Sequence, residues 1–156
     1  MNDINVFLNY SMDIYPDSIL LTAGCLENDR DTFLDLDIHI DDGRYVTKVY
    51  HKVDDFDFEV VSFPFPTSNI CDHITYNSFY SQLVRFSFIC SEFTDFANRS
   101  NNLLVSLIQR GFSKCRLKGS FNKFMLNYHD IVSIKYSYEE MNRFSISHFS
   151  CLSFII

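Results

Sequence analysis

Carboxylates crowd the first half of this chain, and four of them, Asp35, Asp37, Asp41 and Asp42, lead into Gly43. Oxygen ligands at short spacing are what a hard cation such as calcium needs. The spacing does not fit a calcium loop, which requires glycine at its sixth position and a bidentate glutamate at its twelfth. Here the acids alternate with apolar residues, and the solvated face of a strand accounts for Asp35 and Asp37. A second group, Asp54, Asp55 and Asp57 in VDDFDF, has the residue types of a two-metal centre that activates a hydroxyl and holds a leaving phosphate. Its neighbours read as a loop between strands. The five cysteines, Cys25, Cys71, Cys90, Cys115 and Cys151, are odd in number and show no CxxC spacing. They support neither a zinc site nor a disulfide framework, and none stands at a recognisable distance from a histidine or asparagine that would activate it. With four glycines and no Walker lysine motif there is no phosphate-cradling loop. No catalytic residue, metal ligand or cofactor is assigned.

The remaining chemistry is cationic. From Leu103 to His129 the sequence holds no acid, while Arg110, Lys114, Arg116, Lys118 and Lys123 fall close together. With Arg85 and Arg99 they form a candidate set of phosphate contacts, because a local basic stripe attracts polyanions whatever the total charge. The total is −7, but residues 1–75 carry 15 Asp and Glu against 4 Lys and Arg, a net of −11, and residues 76–156 carry 5 against 9, a net of +4. The same charges also suit a solvated helix face with no ligand.

Two kinds of element must position these residues. Leu34, Leu36, Ile38 and Ile40 alternate with Asp35, Asp37 and His39, which predicts one strand with an apolar and a solvated face. Asp42-Gly43 predicts a tight reversal into a second strand, Tyr45 to His51. Phe58 to Phe63 can add a third, ended by Pro64 and Pro66. Before this block, residues 2–15 predict a short helix and Ser18 to Thr22 a short strand, with a loop from Gly24 to Asp31. After it the period changes to near 3.6. Tyr76, Phe79, Tyr80, Leu83, Val84 and Phe88 make a first helical stripe with Thr75 as its cap. A second helix runs from Thr94 to Gly111, where glycine suits the C′ position. Ser113 caps a third, with Leu117, Phe121, Phe124, Met125 and Tyr128 on one face. Three helices with a Gly-Phe-Ser joint predict a trihelical unit of helix-turn-helix type, although apolar stripes and short turns also serve plain bundle packing. Residues 137–156 fit a strand, an added helix or a loosely ordered tail.

The 156 residues, 47% hydrophobic and 17% aromatic with 17 Phe and no Trp, predict a single compact unit. No charged segment followed by an apolar run opens the chain, and no stretch is long enough to span a bilayer. Reduced thiols and an intracellular location, nuclear or cytoplasmic, are expected.

Taken together, these residues resemble a known family. Phe33-Leu34-Asp35-Leu36, Gly43, Thr47-Lys48-Val49-Tyr50, Lys52, Asp54-Asp55-Phe56-Asp57-Phe58, Phe63-Pro64-Phe65, Ser68-Asn69-Ile70, Tyr76, Tyr80-Ser81-Gln82-Leu83, Arg85, Cys90 and Gly111-Phe112 are similar to the C-terminal part of the reverse transcriptase-like proteins of Penelope-like retroelements of animals. The resemblance covers roughly Tyr15 to Tyr136. It implies that the FLDL hairpin stands at the place of the primer grip, and that the following helices form a thumb or helix-turn-helix region against the primer-template duplex. It also implies that the metal-binding aspartates of such polymerases would fall before Met1, so that the chain is a catalytically incomplete remnant. Cys71 and Asn77 stand where family members often have proline and glycine, and residues 137–156 match nothing in the family.

The resulting expectation is an α+β fold: a small antiparallel sheet, made of the hairpin Phe33–His51 plus a third strand, followed by a three-helix unit. Residues 1–70 form the primer-grip-like β region, 71–136 the trihelical region and 137–156 an unassigned tail. The expected partner is an RNA or DNA duplex held with low sequence specificity through Arg85, Arg99, Arg110, Lys114, Arg116, Lys118 and Lys123. Self-association, or binding of a partner protein, through exposed apolar surface is the alternative, and no membrane contact is expected.

Overall fold

The computed structural model describes residues 30–56 and 63–149, together with Tyr10 and Ile14. The chain divides into two units, Met1–Asp31 and Thr32–Ile156, so the hairpin and the helices share one body. Apart from Tyr10, Ile14 and Phe63, the elements expected at 2–15, 18–22 and 58–63 lie outside the described residues.

The fold is α+β. Strands β1 (Arg30–Phe33), β2 (Leu36–Asp41) and β3 (Arg44–Val49) form a three-stranded antiparallel sheet in the order β1-β2-β3. Five helices follow among the described residues: α1 (Asp72–Ile89), α2 (Phe93–Gln109), α3 (Lys114–Asn127), α4 (His129–Lys135) and α5 (Tyr138–Phe149).

The Asp42-Gly43 reversal is present. Asp41 pairs with Arg44 across a two-residue loop, and Asp42 (φ 47°) and Gly43 (φ 78°) both take positive φ. That combination defines the type I′ turn, whose twist matches the flanking strands. The preceding strand is not continuous, however. Leu34 lies at φ 55°, so the chain turns there and the predicted strand divides into the end of β1 and the whole of β2. Phe33 and Leu34 are adjacent apolar residues, which already breaks a period of two, and both are exposed, Leu34 at 80%. A second correction concerns Asp37. Expected in solvent, it is 3% exposed, with its cross-strand neighbour Lys48 placing Nζ 3.8 Å away. A carboxylate out of water needs such compensation.

The sheet is tied to the helices through β3. The Thr47 N–H donates to Ser91 Oγ at 2.9 Å, the Ser91 N–H returns a bond to the Thr47 carbonyl at 2.9 Å, and Thr47 Oγ1 donates to the Ile89 carbonyl at 2.6 Å. Arg99 Nη2 donates to the Val49 carbonyl at 3.2 Å. The backbone of β3 is thus met by the α1–α2 link and by one arginine of α2.

Helix α1 starts at Asp72 rather than near Tyr76. Thr75 is buried inside it, its hydroxyl bonding back to the Cys71 carbonyl at 3.4 Å instead of capping. Its buried face is Tyr76, Phe79, Leu83, Phe86 and Ser87, whereas Phe88 is 56% exposed. The i+3, i+4 succession from Leu83 reaches Phe86 and Ser87 and leaves Phe88 outside. Helix α2 ends as its glycine suggested. Gly111 sits at φ 90°, its N–H bonds to the Ile108 carbonyl at 2.9 Å, and the Phe112 N–H reaches the Leu107 carbonyl at 3.1 Å. These two bonds make a Schellman motif, which satisfies carbonyls that the helix end would otherwise strand.

The core is aromatic. Phe79, Phe96, Phe121 and Phe124 are its largest fully buried side chains, with Phe96 stacked on Phe124 at 6.0 Å and tilted against Tyr136 at 5.3 Å. Helix α5, one of three forms the tail could have taken, closes the core with Met141, Phe144 and Phe149, the last two against Phe121.

One cation has a structural role that its sequence position did not announce. Helix α1 has no basic residue in its last turn, and Lys135 of α4 supplies the charge, with Nζ at 2.9 Å from the Ser87 carbonyl, 2.8 Å from that of Phe88 and 3.3 Å from that of Cys90. A positive charge at a helix C-terminus answers both the stranded carbonyls and the dipole. Beside it the buried Tyr136 hydroxyl donates to the Cys90 carbonyl at 2.7 Å.

Burial raises both Cys90 and Tyr136 above the ordinary values of 9.0 and 10.0, and the Cys90 charge adds to the shift at Tyr136. For groups whose folded pKa is raised, the stabilisation is complete below the unfolded pKa and is lost as pH rises through the folded one. Denaturant unfolding is therefore expected to give a constant stability from neutral pH to about 9 and a decline above it. Tyr136→Phe should cost about 1 kcal/mol at neutral pH, for the buried hydrogen bond, and should make the alkaline decline shallower. A decline of unchanged steepness in Tyr136→Phe would refute the assignment to this residue.

Candidate nucleic-acid interface

Helix α3 carries four of the seven candidate cations and no acid. It forms where it does because Gly111 turns the chain, Ser113 takes the N-cap position and Leu117, Phe121 and Phe124 give it one buried face. Around the helix, Lys114 and Lys118 lie along one border of that face and Arg116 and Lys123 near the other. Between the two borders the outer surface carries Cys115, Gly119, Asn122 and Leu126, all exposed. The helix thus presents two cationic rails with a low strip between them.

Helices α1 and α3 run in the same direction, since Tyr76 meets Phe112 (5.3 Å between ring centres) and, further on, Tyr80 and Phe88 both meet Tyr128 (6.2 Å each). The second rail is supported by this neighbour. Arg116 lies over the Tyr76 ring at 4.0 Å and Lys123 Nζ over the Tyr80 ring at 5.2 Å, contacts that fix where the charges stand. Arg116 Nη1 also bonds Asp72 Oδ2 at 2.6 Å, and this bond, with the carboxylate charge, raises the Arg116 pKa. Both side chains are well exposed, 47% and 62%, and an ion pair of that kind is weak enough for a competing anion to exchange with the carboxylate.

The first turn of α3 is unusual in its charges. Lys114 and Arg116 stand at the positive end of the helix dipole, where acids are the stabilising choice. Gly119 adds a second local penalty, near ~1 kcal/mol relative to alanine in a helix interior. A Cβ built on Gly119 meets nothing within 4 Å, so packing among the described residues does not require the glycine. Gly119→Ala should raise stability by about 0.5–1 kcal/mol, measured by chemical denaturation. A loss of stability would show that the position is constrained in a way the geometry does not reveal.

The other three candidates stand elsewhere. Arg85 of α1 pairs with Asp35 at 2.8 Å, and Arg99 of α2 pairs with Asp54 besides its bond to Val49. Both act as ties between the helices and the hairpin. Arg110 closes α2 at its C-cap. Lys135, absent from the candidate set, holds the end of α1 as described. Among the described residues no three His, Cys, Asp or Glu converge to hold a metal ion, and no helix is long and apolar enough to cross a membrane.

Beside the first rail a groove of about 380 Å³ opens between α3, α4 and α5, with Phe121, Met125 and Met141 at its base and Asn122, Tyr138 and Asn142 around it. The sequence gives no sign of it, because α4 is not among the predicted helices and α5 is only one of three forms open to the tail. Comparison with family models, curated proteins and solved structures found no match to the chain.

Proposed function

We propose that this protein contains a reverse transcriptase-like module that grips a nucleic-acid duplex by its backbone, without strong sequence choice, through the outer surface of α3. The observation that carries the reading is the pair of cationic rails, Lys114 with Lys118 and Arg116 with Lys123, either side of a strip containing Gly119. A helix that sets two cations against its own dipole and a glycine in its middle is locally less stable than it need be. Such local conflicts are the mark of a functional surface. Charges on both sides of a low strip can meet phosphates while the glycine lets the backbone approach. Phosphate contacts give affinity and position but read no sequence. The resemblance to the thumb region of Penelope-like proteins points to the same ligand, and Arg85, Arg99 and Arg110 then have a supporting rather than a contacting role.

The test is a titration of the whole chain with a labelled duplex over a series of salt concentrations. The logarithm of the binding constant should fall linearly with the logarithm of salt, because bound phosphates release counterions. Binding indifferent to salt, or none at low salt, would overturn the reading.

A second reading, association of the chain with itself or with a partner protein, is favoured by apolar side chains left in solvent on the helical body, above all Leu126 at 81% and Ile134 at 85% exposed. Sedimentation at several concentrations separates the two: a persistent monomer that binds duplex supports the first.

A further inference from the structure

The first rail and the groove are one continuous surface. Lys114, Lys118 and Asn122 follow each other at i, i+4 and i+8, with Met125 next, so they make a single stripe along α3. At its start are two ammonium groups that, among the described residues, are in no ion pair. At its end is the groove. Its base is apolar, with Phe121 at 1% and Met141 at 0% exposure, while the ring of Tyr138 stands 63% exposed beside it. Its rim carries two carboxamides, Asn122 from α3 and Asn142 from α5.

Resting on the nucleic-acid reading above, we propose that this groove takes an unpaired nucleobase at the end of a duplex, with the phosphate of that nucleotide on Lys118 and the preceding phosphate on Lys114. Three features select this occupant. The volume of 380 Å³ is at the small end of ligand pockets and suits one ring system rather than a folded chain. Each carboxamide offers a donor and an acceptor together, which the edge of a base can answer in kind and an aliphatic chain would leave unpaired. The exposed face of Tyr138 is a surface on which a base can stack. Charge complementarity supplies the direction of approach: Lys118 is one helical turn, about 6 Å, from Asn122, a step that the sugar of one nucleotide can bridge between phosphate and base. A base fully paired in the duplex cannot enter, so the groove distinguishes a frayed or overhanging end from a blunt one.

The experiment compares the full chain on a blunt duplex and on the same duplex with a short single-stranded overhang, by fluorescence anisotropy at one salt concentration. The overhang should bind about tenfold tighter, the gain expected of one stacked base. Asn142→Trp, which fills the groove from α5 and leaves the α3 rails untouched, should reduce the preference to near onefold with blunt-duplex affinity unchanged. Should that variant fail to fold, photocrosslinking of the unaltered chain to an overhang carrying 5-iodouracil gives an independent readout, with the adduct expected between Tyr138 and Ser145. Equal binding of the two duplexes would overturn the groove assignment and leave the duplex reading standing. Binding of neither would remove both. A change in sedimentation of Asn142→Trp with no change in overhang preference would mark the groove as an interface between copies of the chain, and would also overturn the proposal.

Discussion

Phe124→Ala is expected to remove a large share of the stability of the helical body, about 3–5 kcal/mol in denaturant unfolding, against a total of roughly 5–15 kcal/mol for an ordinary domain. Phe124 is 0% exposed. It touches Phe96 from α2, Phe121 one turn back on its own helix and Tyr128 at the entry to α4, at 6.0, 6.2 and 5.9 Å between ring centres. Truncation loses the transfer energy of the ring and also leaves a cavity that these rings cannot collapse into, since each is held by further packing. Leu126→Ala is the control. Two positions along the same helix and 81% exposed, it should shift stability by no more than about 0.5 kcal/mol. A cost below about 1 kcal/mol for Phe124→Ala would mean that the aromatic cluster is not the core of this fold.

The second large effect is on binding. Replacing Lys114, Arg116, Lys118 and Lys123 together by alanine should weaken duplex affinity about a hundredfold or more at low salt. The same change should make the slope of log affinity against log salt less negative by about 3 to 4, at about 0.9 for each phosphate no longer neutralised. Stability should move little, within about 1 kcal/mol, because removing Lys114 and Arg116 relieves the dipole while removing Arg116 also forfeits an exposed ion pair. That combination is informative: a variant that unfolds would lose binding trivially, whereas one that melts normally and loses its salt dependence locates the bound phosphates. An unchanged slope would refute the role of α3. A quadruple change at Arg85, Arg99 and two neutral surface positions is the matched comparison, and it should act first on stability, since Arg85 and Arg99 fasten the hairpin to the helices.

What could be read in the sequence was what is encoded locally. Asp42-Gly43 specified its own turn, Gly111 its own helix end, and the apolar period of α2 and α3 their buried faces, because each depends on residues within a few positions. Leu34 was read into the strand because the alternation from Leu36 to Ile40 continues back to it; the adjacent Phe33 was the local sign of a break, but nothing local says that a leucine will accept positive φ. Helix α5 was within reach. Ser137 and Glu140 form a capping box, with the Glu139 N–H on Ser137 Oγ at 3.2 Å and the Ser137 N–H on Glu140 Oε2 at 3.0 Å, and the pattern Ser-x-x-Glu ahead of Met141 and Phe144 was available to announce it. The division of the cations was not within reach. Arg85 to Asp35 and Arg99 to Asp54 join residues some 45–50 positions apart, and no short-range signal separates an arginine that fastens the fold from one that waits for a ligand. The groove was equally hidden, because it exists only where three helices meet.

The way Ser91 and Arg99 occupy the backbone of β3 has a consequence for the behaviour of the protein in concentrated solution. A bare outermost strand is a template on which a foreign strand can register, and growth from such a margin is how sheets propagate into fibrils. Here the N–H and carbonyl of Thr47 and the carbonyl of Val49, which would recruit a stranger, are already engaged from within. A Phe-rich chain can therefore carry a short sheet without that side becoming a seed for aggregation.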